Sequence, residues 1–147
     1  MKLLELLFSL YEEISIPEAV EKELAEGRDY RIDLPDVEEM SRFRVRSVPL
    51  TQTLQLPTSL GKGEREVLAL ASTRSDTLLL IDDALARYHA RQLGLRFTGT
   101  LGVLLKAKAS NLLADIRPIL DQLEGKGFRL DKKTRAAVLK LAKEEES

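Results

Sequence analysis

The sequence predicts an α/β domain in which a mainly parallel central sheet is flanked by helices. Residues 77–81 form a continuous apolar run of strand length, which is typical of a strand covered on both faces. A helical segment ending at Gly94 and a further strand, Leu95–Thr98, follow with tight connections. Strand, helix and strand in this order predict a right-handed βαβ unit with parallel strands.

Composition limits the chemistry that the chain can perform. Its 147 residues, 44% hydrophobic and 32% charged, suit one globular domain spanning 1–147, with residues 115–147 packed as a helical extension. There is no cysteine and His89 is the only histidine, which excludes a thiolate site and disfavours a histidine-based zinc site. Any metal would therefore be a hard cation held by oxygen ligands.

Net charge and the N-terminal segment indicate partners and compartment. The net charge of −1 and the pI of about 6.0 do not suit a nonspecific duplex-DNA binder, although a local basic patch could still hold RNA. The apolar segment Met1–Leu10 is too short to cross a bilayer, and no signal-peptide cleavage site follows it. We therefore expect a cytoplasmic protein with no membrane association.

Turn residues divide the first half of the chain into short elements. A helix with an almost entirely apolar surface is predicted over Lys2–Leu10, and Pro17 favours the start of a second helix that Gly27 ends. Residues 28–41 are polar and irregular. The remaining predictions are strands at Ile14–Ile16 and Phe43–Val48 and an extended piece between Pro49 and Pro57.

The second half of the chain is more regular. A helix over Glu64–Arg74 is predicted to pack inward through Val67, Leu68, Leu70 and Ala71. The other predicted elements of this half are helices at 101–110, 118–124 and 132–145, with a glycine-containing turn at 125–127.

Four carboxylates are predicted near the carboxyl ends of the strands, where open parallel sheets bind ligands. Asp82 and Asp83 directly follow the strand 77–81. Glu64 opens the preceding helix, and Glu23 lies within the helix after the first strand. Such a cluster is what a hard divalent cation needs. Each residue also has a structural explanation, which is capping for an aspartate, the helix dipole for Glu64 and solvation for Glu23.

An ordered series of motifs resembles the PIN-domain family, specifically a prokaryotic branch related to toxin–antitoxin nucleases. The similarity runs from Ile16 to Gly127 and covers most of the chain. The matching pieces are Ile16–Val20 with Glu23 and Leu24, Leu60–Glu64 with Leu70 and Ala71, Leu79–Asp83 with Ala86 and Arg87, Leu93–Leu95, Thr98–Leu101 with Leu104, Leu105, Ala107 and Lys108, and Gly127 with Phe128.

The resemblance implies a three-layer PIN-like fold and a nuclease that cuts single-stranded RNA with Mg²⁺ or Mn²⁺ held by acidic residues. By position, Glu23 and Glu64 resemble two of these acids. Asp83 or Asp82 resembles the acid that follows the last catalytic strand. A toxin-like or RNA-processing role, an antitoxin protein as partner and a homodimer are further implications of the family.

One departure from the family pattern concerns its first acid. Family members begin with a strand that carries an aspartate, whereas residues 1–4 already resemble the helix that follows that strand. Lack of this strand would leave its neighbours unpaired, which favours aggregation. Three explanations are open: a coding start upstream of Met1, a relative without nuclease activity, or a second chain that completes the sheet.

Four other residues are weaker candidates for contact with RNA. Lys62 could face phosphate or lie in a solvated loop, and Arg87 could bind phosphate or pair with Asp83 one turn earlier. Thr98 and Thr100 could contact substrate or cap the following helix.

A function of another class stays open beside the ribonuclease. A catalytically silent PIN fold would act by binding a partner protein or itself. An N-terminal helix without its preceding strand would favour this alternative by exposing Leu3, Leu4, Leu7 and Phe8. A phosphoacceptor receiver domain is disfavoured. In such domains the paired aspartates follow the first strand, whereas the aspartate pair of this chain follows a strand past the middle of the sequence.

Overall fold

The computed structural model describes residues 3–28 and 40–144. It has the mixed α/β architecture that the sequence predicts, with short strands between helices. The elements are α1 (Leu3–Leu10), β1 (Ser15–Pro17), α2 (Glu18–Arg28), β2 (Arg44–Arg46), α3 (Leu50–Thr53), α4 (Lys62–Ser72), β3 (Leu78–Leu80), α5 (Ala84–Gln92), β4 (Arg96–Thr98), α6 (Thr100–Ala109), α7 (Arg117–Gly125) and α8 (Lys132–Leu141).

The chain divides into two compact units. Residues 11–98 form the first, which contains β1–β4 and the helices between them and is called the sheet unit below. Residues 1–10 and 99–147 form the second, called the helical unit, which contains α1 and α6–α8. No helix within 3–28 and 40–144 is long and apolar enough to span a bilayer.

The strands of the sheet unit form two parallel pairs. In one pair, β1 lies beside β2 with Ile16 opposite Val45. In the other, β3 lies beside β4 with Leu79 opposite Phe97. The second pair, joined through α5, is the parallel βαβ unit that the sequence predicts. Gly94, with φ of +70°, adopts the left-handed conformation that ends α5 and turns the chain into β4.

The core of the sheet unit lies between β3 and the two helices that flank it in sequence. Helix α4 contacts both β1 and β3, so it packs against both strand pairs. Leu68 and Ala71 of α4 are buried there, as predicted, and Val67 is partly buried against the same cluster. The buried residues of this core cluster are Leu60, Leu68, Ala71, Leu79, Ile81, Ala86 and Ala90.

Strand β3 is not covered on both faces, and that prediction is wrong. Leu79 is only 4% exposed, whereas Leu78 and Leu80 are each 37% exposed. Successive side chains of a strand point to opposite faces, so the helices that bury Leu79 leave its neighbours uncovered. A continuous apolar run was therefore no proof of burial on both faces.

Two boundaries in the first half of the chain differ from the predictions. The segment between Pro49 and Pro57 is not extended but begins with α3, for which Pro49 is the N-cap residue. A helix can start directly after proline because the fixed φ of proline suits its first turn. Pro17 ends β1 and does not begin α2. Most of the predicted irregular segment 28–41 lies outside the described residues.

The helical unit has a separate core that includes α1. Leu6 is fully buried against the helices α6–α8, while Leu4, Leu7 and Phe8 are half-buried. The prediction that these three residues would be exposed is wrong, because α1 packs on α6. The side chain of Leu3 lies outside the described residues. The buried cluster contains Leu6, Leu104, Ala107, Ile116, Leu120, Val138, Leu139 and Ala142.

Glu144 links the C-terminal end of the helical unit to the start of α7 through hydrogen bonds. Its carboxylate accepts hydrogen bonds from the backbone N–H groups of Ile116 (2.8 Å) and Arg117 (3.2 Å), and Lys108 Nζ lies 2.9 Å away. Burial alone would raise the pKa of Glu144, but these three donors together hold it below its usual range. The carboxylate is therefore charged and 8% exposed in the folded chain.

Candidate carboxylate site

The two adjacent aspartates after β3 have different surroundings. Asp83 is the N-cap residue of α5, and its Oδ2 accepts a hydrogen bond from the backbone N–H of Ala86 at 2.9 Å. Asp82 instead forms an ion pair with Arg87, with 3.5 Å between the nearest oxygen and nitrogen. The structure thus separates the two aspartates that the sequence left equivalent.

Glu64 joins Asp83 from the first turn of α4. One of its oxygens accepts a hydrogen bond from the N–H of Gly61 at 3.3 Å. Burial raises the pKa of Glu64 above its usual value, and the negative charges of Asp83 and Glu23 raise it further. Glu64 therefore lies in a negative potential created by two other carboxylates.

Glu23 reaches the same place from α2 because the neighbouring position in α4 is a glycine. A Cβ atom built on Gly63 would lie 2.8 Å from Oε1 and 3.0 Å from Oε2 of Glu23. The missing side chain leaves space for the Glu23 carboxylate against the first turn of α4. Gly63 lies in the family-like stretch Leu60–Glu64, but the spacing of residues along the sequence does not predict its contact with Glu23.

Three of the four predicted acids thus lie together in the sheet unit. Oxygen-only ligands suit Mg²⁺ or Mn²⁺, and the space over Gly63 lets Glu23 approach the other two carboxylates. The residues present therefore fit a hard divalent cation by their chemistry. Within 3–28 and 40–144, however, no three acidic or histidine side chains stand in an arrangement that could already hold a metal ion. The carboxylates would have to adjust to bind one.

Arg87 has structural contacts in the sheet unit. Its Nε donates a hydrogen bond to the carbonyl oxygen of Ile81 at 2.8 Å, and its guanidinium lies 5.8 Å from the ring centre of Phe97. Together with its ion pair to Asp82, these contacts tie α5 to the end of β3. Arg87 pairs with Asp82 and not with Asp83, the partner considered from sequence spacing.

The remaining weak candidates are placed differently. Lys62 is exposed at the first position of α4. Thr98 is half-buried at the end of β4, where its carbonyl oxygen accepts the N–H of Ile81 at 2.9 Å. Thr100 belongs to the helical unit and begins α6. Neither threonine is the N-cap residue of α6, because Gly99 occupies that position.

Comparison with known protein families agrees with this architecture. The sequence profile of DUF3368, described as a PIN domain, matches residues 1–144. This chain belongs to the PIN-domain family. No curated protein and no solved structure gave a match. A PIN domain has a nuclease-type fold, and PIN domains generally depend on divalent metal ions.

Proposed function

We propose that this PIN domain is an endoribonuclease that uses Mg²⁺ or Mn²⁺ to cut single-stranded RNA, with Glu23, Glu64 and Asp83 as its metal-binding acids. One observation carries the proposal: Glu23 lies over Gly63 at the first turn of α4, next to Glu64, whose pKa is raised by burial and by the charges of Asp83 and Glu23. Residues from three separate elements, α2, α4 and the start of α5, contribute to this cluster.

The cluster is unfavourable for the metal-free fold and favourable for a cation. Three carboxylates repel each other at neutral pH, and this repulsion raises the pKa of Glu64. A divalent cation would remove the repulsion by binding between the oxygens. When bound, it would supply a water of lowered pKa and would stabilise charge on the phosphoryl oxygens.

The neighbouring residues hold each acid in position. The N–H of Ala86 orients Asp83, the N–H of Gly61 orients Glu64, and the gap at Gly63 admits Glu23. These contacts limit the positions that the three carboxylates can adopt, and such positioning is a main contribution of the protein to metal-assisted hydrolysis. Asp82 is outside this set because it pairs with Arg87.

Single-stranded RNA as substrate, a toxin-like or RNA-processing role, an antitoxin partner and a homodimer are parts of the same proposal. Membership of the PIN-domain family supports them. An unpaired strand also suits an exposed carboxylate cluster, because its phosphodiester can approach without the constraint of a duplex.

The test is cleavage of a mixed-sequence single-stranded RNA by the full chain with Mn²⁺, with Mg²⁺ and with EDTA. A Glu64→Gln/Asp83→Asn variant is compared with a matched Glu21→Gln/Asp82→Asn control, which removes two carboxylates of the same types. We expect metal-dependent cutting that the first variant loses and the control keeps. A folded chain that does not cut, or equal cutting by both variants, contradicts the proposal.

A second candidate function is that of a protein-binding PIN fold without catalysis. It is favoured by apolar exposure along α5 and at its C-terminal end, where Leu85, Tyr88 and Leu93 are 41%, 52% and 46% exposed. Light scattering over a range of protein concentrations tests it. An oligomer that Leu85→Ser/Tyr88→Ser dissociates, in a chain that cuts no RNA, would favour binding over catalysis.

A further inference from the structure

The two units of this chain carry opposite net charge. Residues 11–98 contain sixteen acidic and twelve basic residues, whereas the helical unit, residues 1–10 and 99–147, contains eight acidic and eleven basic residues. Within it, residues 99–144 contain five acidic and ten basic residues. The carboxylate cluster belongs to the acidic unit and repels the phosphates of RNA. Affinity for RNA comes largely from phosphate contacts with lysine and arginine, so the substrate needs a basic surface elsewhere in the chain.

Four of the five acidic residues between 99 and 144 pair with basic side chains of the same unit. Arg135 bridges Asp121 and Glu124, and Lys108 contacts both Asp115 (3.8 Å) and Glu144 (2.9 Å). The fifth acid of this stretch is Asp131. Asp131 Oδ1 accepts the N–H of Thr134 at 2.7 Å as the cap of α8. Two basic residues therefore engage four of the five acids, and the unit keeps a positive excess.

Part of that excess is concentrated around the start of α8. Arg129, Lys132 and Lys133 are all exposed within five consecutive residues. Lys132 and Lys133 occupy the first turn of α8, where the helix dipole disfavours positive charge and no acidic side chain is present. Asp131 caps this end of α8 with a single negative charge. The three positive charges of Arg129, Lys132 and Lys133 exceed it, so a phosphate would be attracted by these side chains.

We propose that Arg129, Lys132 and Lys133 form a phosphate-binding surface for single-stranded RNA on the helical unit. The identity of the ligand rests on the proposed ribonuclease function, because an RNA substrate supplies closely spaced phosphates along a flexible strand. The surface holds RNA by charge and takes no part in the cleavage step. It therefore governs substrate affinity and its dependence on salt, and not the rate of cleavage at saturation.

Binding is measured by fluorescence anisotropy of a labelled single-stranded RNA in EDTA, using chains that also carry Glu64→Gln. Arg129→Gln/Lys132→Gln/Lys133→Gln is compared with Lys22→Gln/Arg74→Gln/Arg96→Gln, which removes the same charge from exposed positions of the sheet unit. We expect the first triple variant to weaken binding about 10-fold and to reduce the slope of log Kd against log salt by roughly 2. The Kd of the control variant should stay within about twofold of that of the parent chain, because its three removed charges lie outside the proposed surface.

Equal binding by the first triple variant and the parent chain, or equal weakening by both triple variants, overturns the proposal. The proposal is also overturned if polyglutamate, at the same concentration of charge as RNA, competes equally for the surface, since the surface would then bind acidic protein as well as RNA. Circular dichroism verifies that the variants are folded. Cleavage assays on chains with the native Glu64 separate the two proposals. If the chain binds RNA through the surface but does not cleave it, only the ribonuclease proposal is contradicted. If the chain cleaves RNA but the first triple variant binds RNA as tightly as the parent chain, only the surface proposal is contradicted.

Discussion

Glu64 and Asp83 open different helices, yet the charge of Asp83 acts on Glu64 and adds to burial in raising the pKa of Glu64. The raised pKa of Glu64 means that its charged form is disfavoured in the folded chain. The metal-free site therefore stores electrostatic repulsion that either a proton or a cation relieves.

Replacing Glu64 by glutamine should stabilise the metal-free chain. Its folded-state pKa is raised above the unfolded value, so the charged form costs folding energy at pH values above that raised pKa. Glutamine removes the charge and keeps nearly the same side-chain shape. We expect a melting temperature in EDTA higher by roughly 2–4 °C, the shift that about 1 kcal/mol produces. The gain should shrink as pH falls through the raised pKa, and Glu21→Gln serves as the exposed control.

Addition of Mn²⁺ should stabilise the wild-type chain and leave the Glu64→Gln/Asp83→Asn variant unchanged. A ligand that binds only the folded state raises its stability by about 2.7 kcal/mol at 100 times its dissociation constant. Thermal melts over a titration of Mn²⁺ and of Mg²⁺ measure this effect. An equal shift in both proteins would show that the cation binds elsewhere.

Asp83→Asn and Asp82→Asn should have very different effects on cleavage. Asparagine is as good an N-cap as aspartate, so Asp83→Asn keeps α5 intact and removes only the charge. We expect cleavage to fall by roughly 100-fold or more. Asp82→Asn removes an exposed ion pair worth at most about 1 kcal/mol and should leave the cleavage rate nearly unchanged. The reverse order in rate measurements would assign the metal to Asp82.

Gly63→Ala should weaken metal binding without unfolding the chain. The new Cβ would meet only the end of the flexible Glu23 side chain, which can swing away at little cost. Alanine also favours a helix over glycine by about 1 kcal/mol, so the melting temperature should not fall. Gly125→Ala, whose Cβ would meet nothing within 4 Å, is the matched control. Unaltered Mn²⁺ affinity in Gly63→Ala would remove Glu23 from the proposed site.

Glu144→Gln should destabilise the chain at neutral pH and flatten its response to acid. The folded-state pKa of Glu144 is lowered, so its stabilising contribution is present above the ordinary value of 4.5 and is lost as pH falls through the folded pKa. Loss of the charge at a buried hydrogen-bonded position should cost about 1–3 kcal/mol at neutral pH. Urea unfolding across this pH range measures it, with exposed Glu5→Gln as control. Equal acid sensitivity in wild type and Glu144→Gln would contradict this role.

Local signals in the sequence were sufficient for most elements of the fold. The apolar run before Asp82, the glycine at position 94 and the tight connections predicted the parallel pair β3–β4. Proline was less informative, because it ends β1 at Pro17 and precedes a helix at Pro49. Both positions suit the fixed φ of proline, so the local sequence does not distinguish them.

For the site, the sequence by itself determined the α/β class, the residue types available to bind a cation and the four carboxylates from which a site could be built. Only the tertiary structure decided that Asp83 meets Glu64 while Asp82 turns to Arg87, and that Gly63 gives Glu23 its space. The physical reason is that these contacts join elements distant in sequence. Their distances depend on how α4 packs between α2 and β3, which periodicity and spacing along the chain do not specify.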